Sequence, residues 1–307
     1  RKRGEMDRIS KNDLIGIQPT RDSLVGVDSD GCVFDTMGVK QIRHFHPLIL
    51  RFWNLEPAEK EFRETAEFVN LRSRWRGSNR FPALLKTFEL FSTRADVRAL
   101  NLPLPVLEPL QSYVESGLPL GNPSLAQEVE RTGDAELRRL LDWSRAVDRE
   151  IAENMKPVPP FRGVREALER MRGRSDVLVV SQTPEPALVH EWTLHGLRPL
   201  VRQIAGQELG TKAEHLRMAS AGKYAADRVL MIGDAPGDLQ AARETGAFFF
   251  PVFPGREEES WSELFSEGYD RFLEGRFGGD YQDRMIRAFE ALLPDVPPWM
   301  PESQKRS

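Results

Sequence analysis

The sequence predicts an α/β protein whose core is a doubly wound parallel sheet and which carries an inserted α-helical domain. Three runs of apolar, mostly β-branched residues, each ending on a polar residue, indicate buried strands. Segments with apolar residues at helical spacing lie between the later runs, as parallel strands require. Between residues 37 and 157 the strand pattern stops, and amphipathic helical stretches take over. One α/β core interrupted by one helical insertion is therefore expected.

The three runs are LVGVD, DVLVVS and RVLMIGD, at residues 24–28, 176–181 and 228–234, and a fourth, FFFPVF, follows at residues 248–253. Their nearly continuous apolar character is typical of a sheet covered on both faces. Helices are predicted over VREALERMRG and over PEPALVHEWTLHG, because apolar residues recur there at helical spacing and a Gly ends each pattern. Another helix, over DLQAARETG, separates the last two strands.

Domain boundaries follow from where the alternation of strand and helix patterns stops and where it resumes. We predict that residues 1–36 and 158–307 form the α/β core and that residues 37–157 form the inserted helical cap domain. The Pro-rich segment KPVPPFRG suits a semi-rigid connection back to the core. Residues 255–300 are predicted to form a helical tail. Its aromatic residues at helical spacing, which we expect to cover the core, are Trp261, Phe265, Tyr269 and Phe272.

Composition indicates a globular protein. The 307 residues are 40% hydrophobic and 29% charged, and no apolar run approaches the roughly 20 residues that span a bilayer. The net charge of −4 gives no overall attraction to nucleic acid or to an anionic membrane. The single cysteine, Cys32, excludes an intramolecular disulfide, and we expect it to pack as a small apolar side chain.

These bulk properties predict a cytoplasmic protein with no nucleic-acid or membrane partner, present as a monomer or homodimer. A lone cysteine fits a reducing compartment. The basic start RKRGEMDR is not followed by an apolar segment, so no signal peptide is expected.

Polar residues follow the predicted strands, at the edge where an open α/β sheet binds ligands. Two carboxylates one residue apart end the first strand. Burying ionised carboxylates is costly unless they are paired or bound to a cation, so their position suggests a functional site. The residues expected to converge on this edge are Asp28, Asp30, Ser181, Lys212, Asp234 and Asp238.

This set of residues suits phosphoryl transfer assisted by a divalent cation. Mg²⁺ prefers carboxylate, water and phosphate oxygens, and Asp28 and Asp234 can supply the carboxylates. A carboxylate can also act as a nucleophile and form an aspartyl phosphate, so Asp28 is the candidate nucleophile. Asp30 can serve as general acid and base, and Lys212 can offset negative charge.

The segments VDSDGCVFD, VVSQT, GTK and MIGDAPGD resemble, in order, the four motifs of the haloacid dehalogenase superfamily. The resemblance covers residues 24–35 and 161–253 and extends to phosphoglycolate-phosphatase-like members with a helical cap. It implies that Asp28 is the nucleophile and that Asp30 protonates the leaving group and then activates water. It also implies that Ser181 hydrogen-bonds a phosphoryl oxygen and that Lys212 neutralises charge.

The resemblance further implies a metal site and a cap. Asp28, the backbone carbonyl of Asp30 and Asp234 would bind Mg²⁺, and Asp238 would orient waters or the nearby lysine around it. The insertion after the first motif has the placement of the family's helical cap, which closes over the core and sets the substrate.

Simpler explanations stay open for these residues. The two acids after the first strand could cap a turn, and Ser181 could N-cap the following helix. Lys212 could be a solvated residue of a first helical turn, although the helix dipole disfavours lysine there. Asp234 and Asp238 could be turn and helix-cap residues.

Residues of two segments of the chain are expected to contact the substrate. The segment NLRSRWRGSNRF carries four arginines near an apparent helix break, and arginine forks suit carboxylates and phosphates. Arg76 and Arg80 are the candidates there, and a solvated basic helix end is the alternative. Gln182, directly after Ser181, is a further candidate. His44 and His46 are expected to pack or to lie at the surface rather than to bind a ligand.

We therefore expect a Mg²⁺-dependent phosphatase that hydrolyses a small phosphomonoester, its phosphorylated metabolite partner, through an aspartyl-phosphate intermediate. Dehalogenases and phosphonatases of the superfamily lack the second acid of the first motif, so Asp30 argues against both. A phosphomutase or another phosphotransferase of the same superfamily stays an alternative. So does a non-catalytic binding or scaffold protein that retains the fold.

Overall fold

The computed structural model describes residues 9–300, which separate into two compact units. The first, here the α/β unit, contains the chain up to Thr36 together with Pro157–Leu292. The second, the helical unit, contains Met37–Lys156 and residues 293–300. Residues 1–8, part of the start where no signal peptide is expected, lie outside the described residues, as do residues 301–307. Within residues 9–300 no helix is long and apolar enough to cross a membrane.

The α/β unit is built on five parallel strands. They are β1 (Leu24–Val27), β2 (Asp176–Val180), β3 (Gln203–Ala205), β4 (Val229–Gly233) and β5 (Phe248–Pro251). Their order in the sheet is β3-β2-β1-β4-β5. Every residue of β1, β2 and β4 is buried, which accounts for their nearly continuous apolar sequences. The predicted α/β fold with a doubly wound parallel sheet is confirmed.

The strand pattern does not predict β3. Only three residues of β3 pair with β2, in a register that places Ile204 opposite Val179, and so short a run has no periodicity to detect. The four predicted strands all form. The polar residues Asp28, Ser181 and Asp234 lie one residue beyond β1, β2 and β4.

Helices cover the sheet and continue into the tail. The α-helices of the α/β unit are Lys11–Gly16, Val164–Arg174, Glu185–Leu194, Lys212–Ser220, Pro236–Thr245, Glu257–Glu263, Tyr269–Leu273 and Asp280–Ala291. A π-helical segment, Leu264–Gly268, joins two of the tail helices. Helix Val164–Arg174 runs through Gly173, the residue predicted to end it, and is followed at once by Ser175 and β2.

The helical unit contains no strand within its described residues. Its α-helices are Thr36–Val39 (which starts in the α/β unit), His46–Trp53, Glu59–Leu71, Arg80–Thr93, Ala95–Ala99, Glu108–Glu115, Asn122–Thr132 and Ala135–Asn154, with a π-helical segment at Lys40–Phe45. Their apolar faces meet in an aromatic core. Trp53 packs against Phe88 and Trp143, with ring centroids 5.1 and 5.8 Å apart.

Three of the four tail aromatics cover the core as predicted. Trp261, Tyr269 and Phe272 are buried, and the Trp261 indole N–H donates to the carbonyl of Cys32 at 2.9 Å. Phe265 was expected among them but is 42% exposed. It lies in the π-helical segment, whose wider turn moves it off the face that the helical spacing assigns to it. Cys32 itself is fully buried.

The last described residues differ from the predicted tail. Residues 293–300 group with the helical unit rather than with the α/β unit. Trp299 packs on Phe68 with ring centroids 5.5 Å apart, and the Arg94 guanidinium lies 4.6 Å from the centroid of the Trp299 ring. Asp295 forms an ion pair with Arg74 at 2.8 Å.

The buried His46 predicts a pH dependence of stability. Both ring nitrogens lack a hydrogen-bond partner within the described chain, and the ring packs on Phe62. Burial, aided by the charge of Arg63, lowers the pKa of His46 to about 3. As the pH falls, His46 is therefore protonated in the unfolded chain before it is protonated in the folded one. Its contribution to the free energy of unfolding is complete above about pH 6.5 and is lost as the pH falls from about 6.5 toward 3.

We expect His46→Phe to remove this loss. Between pH 7.5 and pH 5 the wild type should lose about 2 kcal/mol more free energy of unfolding than the variant, measured by urea denaturation. His190 is exposed, and His190→Gln should leave the wild-type pH dependence unchanged. Equal losses in His46→Phe and wild type would contradict the prediction.

Candidate active site

Asp28 lies where β1 leaves the sheet. Its backbone N–H still donates to the carbonyl of Ile232 in β4, at 2.9 Å, which holds the residue at the carboxyl edge. The chain then turns sharply, with Gly31 at φ +82°, and the Gly31 N–H donates to Phe34 at 2.7 Å. This left-handed conformation favours glycine. Asp28 is 3% exposed, and Asp30 directly precedes the glycine of this turn.

Lys212 bridges two carboxylates. Its ammonium lies 2.9 Å from Asp28 Oδ2 and 2.6 Å from Asp238 Oδ1. Lys212 is the first residue of helix Lys212–Ser220, which Thr211 and Glu214 cap reciprocally. A lysine is unfavourable in a first turn because of the helix dipole. The two ion pairs explain its position there, so Lys212 is not the solvated residue of the simpler explanation.

Asp238 contacts both Lys212 and the loop that follows β4. Its Oδ2 accepts hydrogen bonds from the backbone N–H groups of Asp234 and Ala235, at 3.1 and 3.0 Å. A Cβ atom at Gly233 would overlap the Asp238 carboxyl group. The sequence GDAPGD therefore folds as one unit, in which the glycine makes room for the second aspartate.

Three buried carboxylates surround this one ammonium. Asp28, Asp234 and Asp238 each offer an oxygen within 4.8 Å of the others. With all groups ionised, the carboxylates carry two more charges than Lys212 balances. Burial raises the pKa of Asp28 well above its usual range; Lys212 opposes this rise, and the two neighbouring carboxylates add to it.

Lys212 stays protonated and positively charged. Burial alone would lower the pKa of its ammonium, but the carboxylates of Asp238 and Asp28 outweigh burial and raise that pKa. The site therefore combines a permanent cation with an excess of buried negative charge. Such an excess is stable only if a carboxylate takes up a proton or a further cation binds.

The donor set fits a divalent cation. Hard cations such as Mg²⁺ take carboxylate oxygens, and Asp28 retains Oδ1 beside the oxygen that contacts Lys212. Asp238 already uses Oδ1 for Lys212 and Oδ2 for two backbone donors. Asp28 and Asp234 are thus the better direct ligands, and Asp238 is suited to orienting Lys212.

Asp30 is held by two hydroxyl groups that the motif pattern does not predict. Thr36 donates to Oδ1 at 2.6 Å, and Thr183 donates to Oδ2 at 2.8 Å. Together they fix the plane of the carboxyl group. Thr183 lies in the VVSQT motif, two residues after Ser181. Its position after a predicted strand is the sequence signal that could have identified it as a residue of this sheet edge.

Ser181 and Gln182 follow β2 at the same edge. Ser181 is 2% exposed, its N–H donates to Ala205 at 3.0 Å, and its Oγ accepts from the N–H of Thr183 at 3.2 Å. The next helix starts at Glu185 with Pro184 as its N-cap, so Ser181 is not the helix cap of the simpler explanation. Gln182 is exposed and donates to the carbonyl of Gly210 at 2.8 Å.

The structure places the two candidate arginines in the helical unit, with partners there. Arg80 Nη1 lies 2.8 Å from Asp148 Oδ1 and 3.0 Å from Ser144 Oγ. Arg76 is buried and donates to the carbonyl of Leu71 at 3.0 Å. Neither is a solvated basic helix end, and a substrate contact for either stays a prediction.

Removing the Asp238 carboxyl group is expected to destabilise the fold. Asp238→Ala leaves Lys212 with one ion pair and two backbone N–H groups without their acceptor, at a cost of about 3 kcal/mol. The free energy of unfolding from urea denaturation measures the change. Asp227→Ala, at an exposed position, is the matched control and should cost about 0.5 kcal/mol or less. Equal effects of the two substitutions would contradict this role.

The chain is similar to known proteins over the part that contains most of these site residues. Residues 111–252 match the family model of haloacid dehalogenase-like hydrolases. No curated protein matches the chain. The matched range contains Ser181, Lys212, Asp234 and Asp238 but not Asp28.

Solved structures show limited similarity. A predicted phosphoglycolate phosphatase from Haemophilus somnus 129PT is 14% identical, with 76% of this chain and 85% of that chain covered and a TM-score of 0.45. A proposed hydrolase of the haloacid dehalogenase type from Bacillus subtilis, bound to magnesium, is 14% identical, with 80% and 100% covered and a TM-score of 0.43. A proposed β-phosphoglucomutase from Bacteroides vulgatus is 14% identical, with 87% and 96% covered and a TM-score of 0.45.

The family match begins inside the helical unit and ends one residue after β5. Asp28 and Lys212, which lie outside and inside the matched range, form an ion pair at the carboxyl edge of the sheet. Residues 111–252 thus match the haloacid dehalogenase-like hydrolase family, and the order of the four motifs agrees with that match.

Proposed function

We propose that this chain is a Mg²⁺-dependent phosphatase that hydrolyses a small phosphomonoester through an aspartyl-phosphate intermediate. The observation that carries the proposal is the buried cluster of Asp28, Asp234 and Asp238 around Lys212. Phosphoryl transfer requires positioned charge more than covalent chemistry from the protein. An excess of carboxylates beside a fixed ammonium suits the binding of a divalent cation together with a phosphoryl group.

In the first step the Asp28 carboxylate attacks phosphorus. A bond forms between its oxygen and phosphorus while the bond to the ester oxygen breaks. Asp30 gives a proton to the departing oxygen, so the product leaves as a neutral alcohol. Thr36 and Thr183 hold the Asp30 carboxyl group in one orientation, and Lys212 balances charge on Asp28 and on the phosphoryl oxygens.

In the second step water attacks the aspartyl phosphate. Asp30, now ionised, takes a proton from that water as the new bond to phosphorus forms. The bond between phosphorus and the Asp28 oxygen breaks, which releases inorganic phosphate and restores the Asp28 carboxylate. Asp30 then carries the proton that the next turnover requires. Ser181, at the same edge, would donate its hydroxyl hydrogen to a phosphoryl oxygen.

Asp28, Asp234 and the backbone carbonyl of Asp30 are the proposed ligands of Mg²⁺. When bound, Mg²⁺ supplies the positive charge that the three buried carboxylates lack and offsets the charge of the phosphoryl oxygens. Asp238 keeps Lys212 in place beside Asp28. The proposed partner is a small phosphorylated metabolite. Contacts to its remainder are proposed for Gln182, Arg76 and Arg80.

Replacing the nucleophile should abolish turnover. We expect Asp28→Asn to lower kcat/KM for an aryl phosphate, in the presence of Mg²⁺, by on the order of 10⁴-fold or more. Released inorganic phosphate is the measured product. The control Asp22→Asn changes an exposed acid near the same strand and should leave the rate unchanged.

Three outcomes would overturn parts of this proposal. Full activity of Asp28→Asn would exclude Asp28 as nucleophile. Binding of phosphorylated metabolites by the wild type without release of phosphate would favour the scaffold alternative, and transfer between two hydroxyls of one sugar would favour the phosphomutase.

Mg²⁺ should stabilise the folded chain independently of turnover. At about 100 times its Kd, one bound ion adds about 2.7 kcal/mol, which should raise the thermal unfolding midpoint by several degrees. Asp234→Asn should lose most of this rise, whereas Asp227→Asn should keep it. An equal rise in Asp234→Asn and in wild type would remove Asp234 from the ligand set.

A further inference from the structure

A cavity lies in the α/β unit, away from the candidate active site. Its volume is about 310 Å³, and three arginines, Arg21, Arg172 and Arg202, contribute to its lining. Thr20, Ser175 and Asp176 also line it. The volume is near the lower end of the range for small-molecule sites, about 300–1,000 Å³. The cavity is therefore suited to a compact, polar ligand.

The topology places this cavity at the amino edge of the sheet. Asp176 is the first residue of β2, and Arg202 directly precedes β3. Asp28 follows the last residue of β1, which runs parallel to β2. A strand of four or five residues is roughly 15 Å long, so the two sites are separated by the length of the strands. A ligand at one does not occupy the other.

The carboxylate of Asp176 is fully engaged and does not neutralise the cavity. It accepts hydrogen bonds from the N–H and hydroxyl of Thr20, the N–H of Arg21, the hydroxyl of Tyr224 and Nη1 of Arg202, at 2.5–3.1 Å. Burial opposes ionisation of Asp176, but these hydrogen bonds and the charge of Arg202 outweigh burial and lower its pKa. One arginine is thereby paired, and two are left over.

The other two guanidiniums of the lining belong to Arg21 and Arg172. Within residues 9–300, neither Arg21 nor Arg172 has an ion pair or a side-chain hydrogen bond. Both side chains are exposed. Arg172 lies in the last turn of helix Val164–Arg174, a position that favours a cation, and Arg21 lies in the loop before β1. The lining of the cavity therefore includes two solvent-exposed arginines that have no ion-pair partner among the described residues, and it also includes Thr20.

We propose that this cavity is a second anion site, which binds a phosphate group, either free or carried on a small metabolite. Guanidinium forks match phosphate oxygens in geometry as well as in charge. Arg21 and Arg172 would contact the phosphate directly, and Arg202, fixed by Asp176, would complete the positive wall. The site is independent of the proposed phosphatase activity.

Arginine footprinting on the full chain tests the proposal with inorganic phosphate as the probe. Phenylglyoxal modifies accessible guanidiniums, and peptide mass spectrometry gives the rate at each arginine. We expect phosphate to slow modification of Arg21, Arg172 and Arg202 several-fold relative to chloride at equal ionic strength. Rates at Arg284 and Arg287, exposed on helix Asp280–Ala291, should not change. Phosphate bound at the candidate active site cannot produce this pattern.

Variants extend the test. In Arg21→Ala/Arg172→Ala the phosphate concentration that half-protects Arg202 should rise by about a hundredfold, or about tenfold per guanidinium. Arg284→Ala/Arg287→Ala removes the same charge from the same unit and should leave that concentration unchanged. The proposal is wrong if phosphate protects the three arginines no better than chloride, or if the two double variants require equal phosphate.

Discussion

The site depends on one interaction, the pair of ion pairs that the Lys212 ammonium forms with Asp28 and Asp238. It connects the end of β1 to the loop and helix that follow β4, through a residue of a third segment. These segments meet because parallel strands place their carboxyl ends at one edge. One lysine cannot balance three buried acids, however. The fold is thus consistent with a site that is complete only when a cation is bound.

Much of this arrangement could be predicted from the sequence, because its cause is local. Apolar runs that end on Asp28, Ser181 and Asp234 define both the strands and the edge where those residues meet. The disfavoured position of Lys212 in a first helical turn also pointed to a partner. Such signals survive in a single sequence because each depends on a few neighbouring residues and on the rule that parallel strands share direction.

Features that depend on distant contacts could not be predicted. β3 has three residues and exists because β2 offers a ladder to pair with. Thr36 and Thr183, which are 147 positions apart, meet only through Asp30. Residues 293–300 join the helical unit because Trp299 packs on Phe68. In each case the sequence contains the residue but no local pattern that reveals its partner.

Asp28 and Asp176 show why burial alone does not identify a functional acid. Both are nearly inaccessible, at 3% and 1% exposure, and both lie at the end of a buried strand. Asp176 accepts five hydrogen bonds, whereas among the described residues only Lys212 donates to the side chain of Asp28. Their pKa values accordingly shift in opposite directions. An acid whose donors are all supplied by the fold is structural, while one with unused oxygens beside further carboxylates retains the capacity to bind a cation or to attack phosphorus.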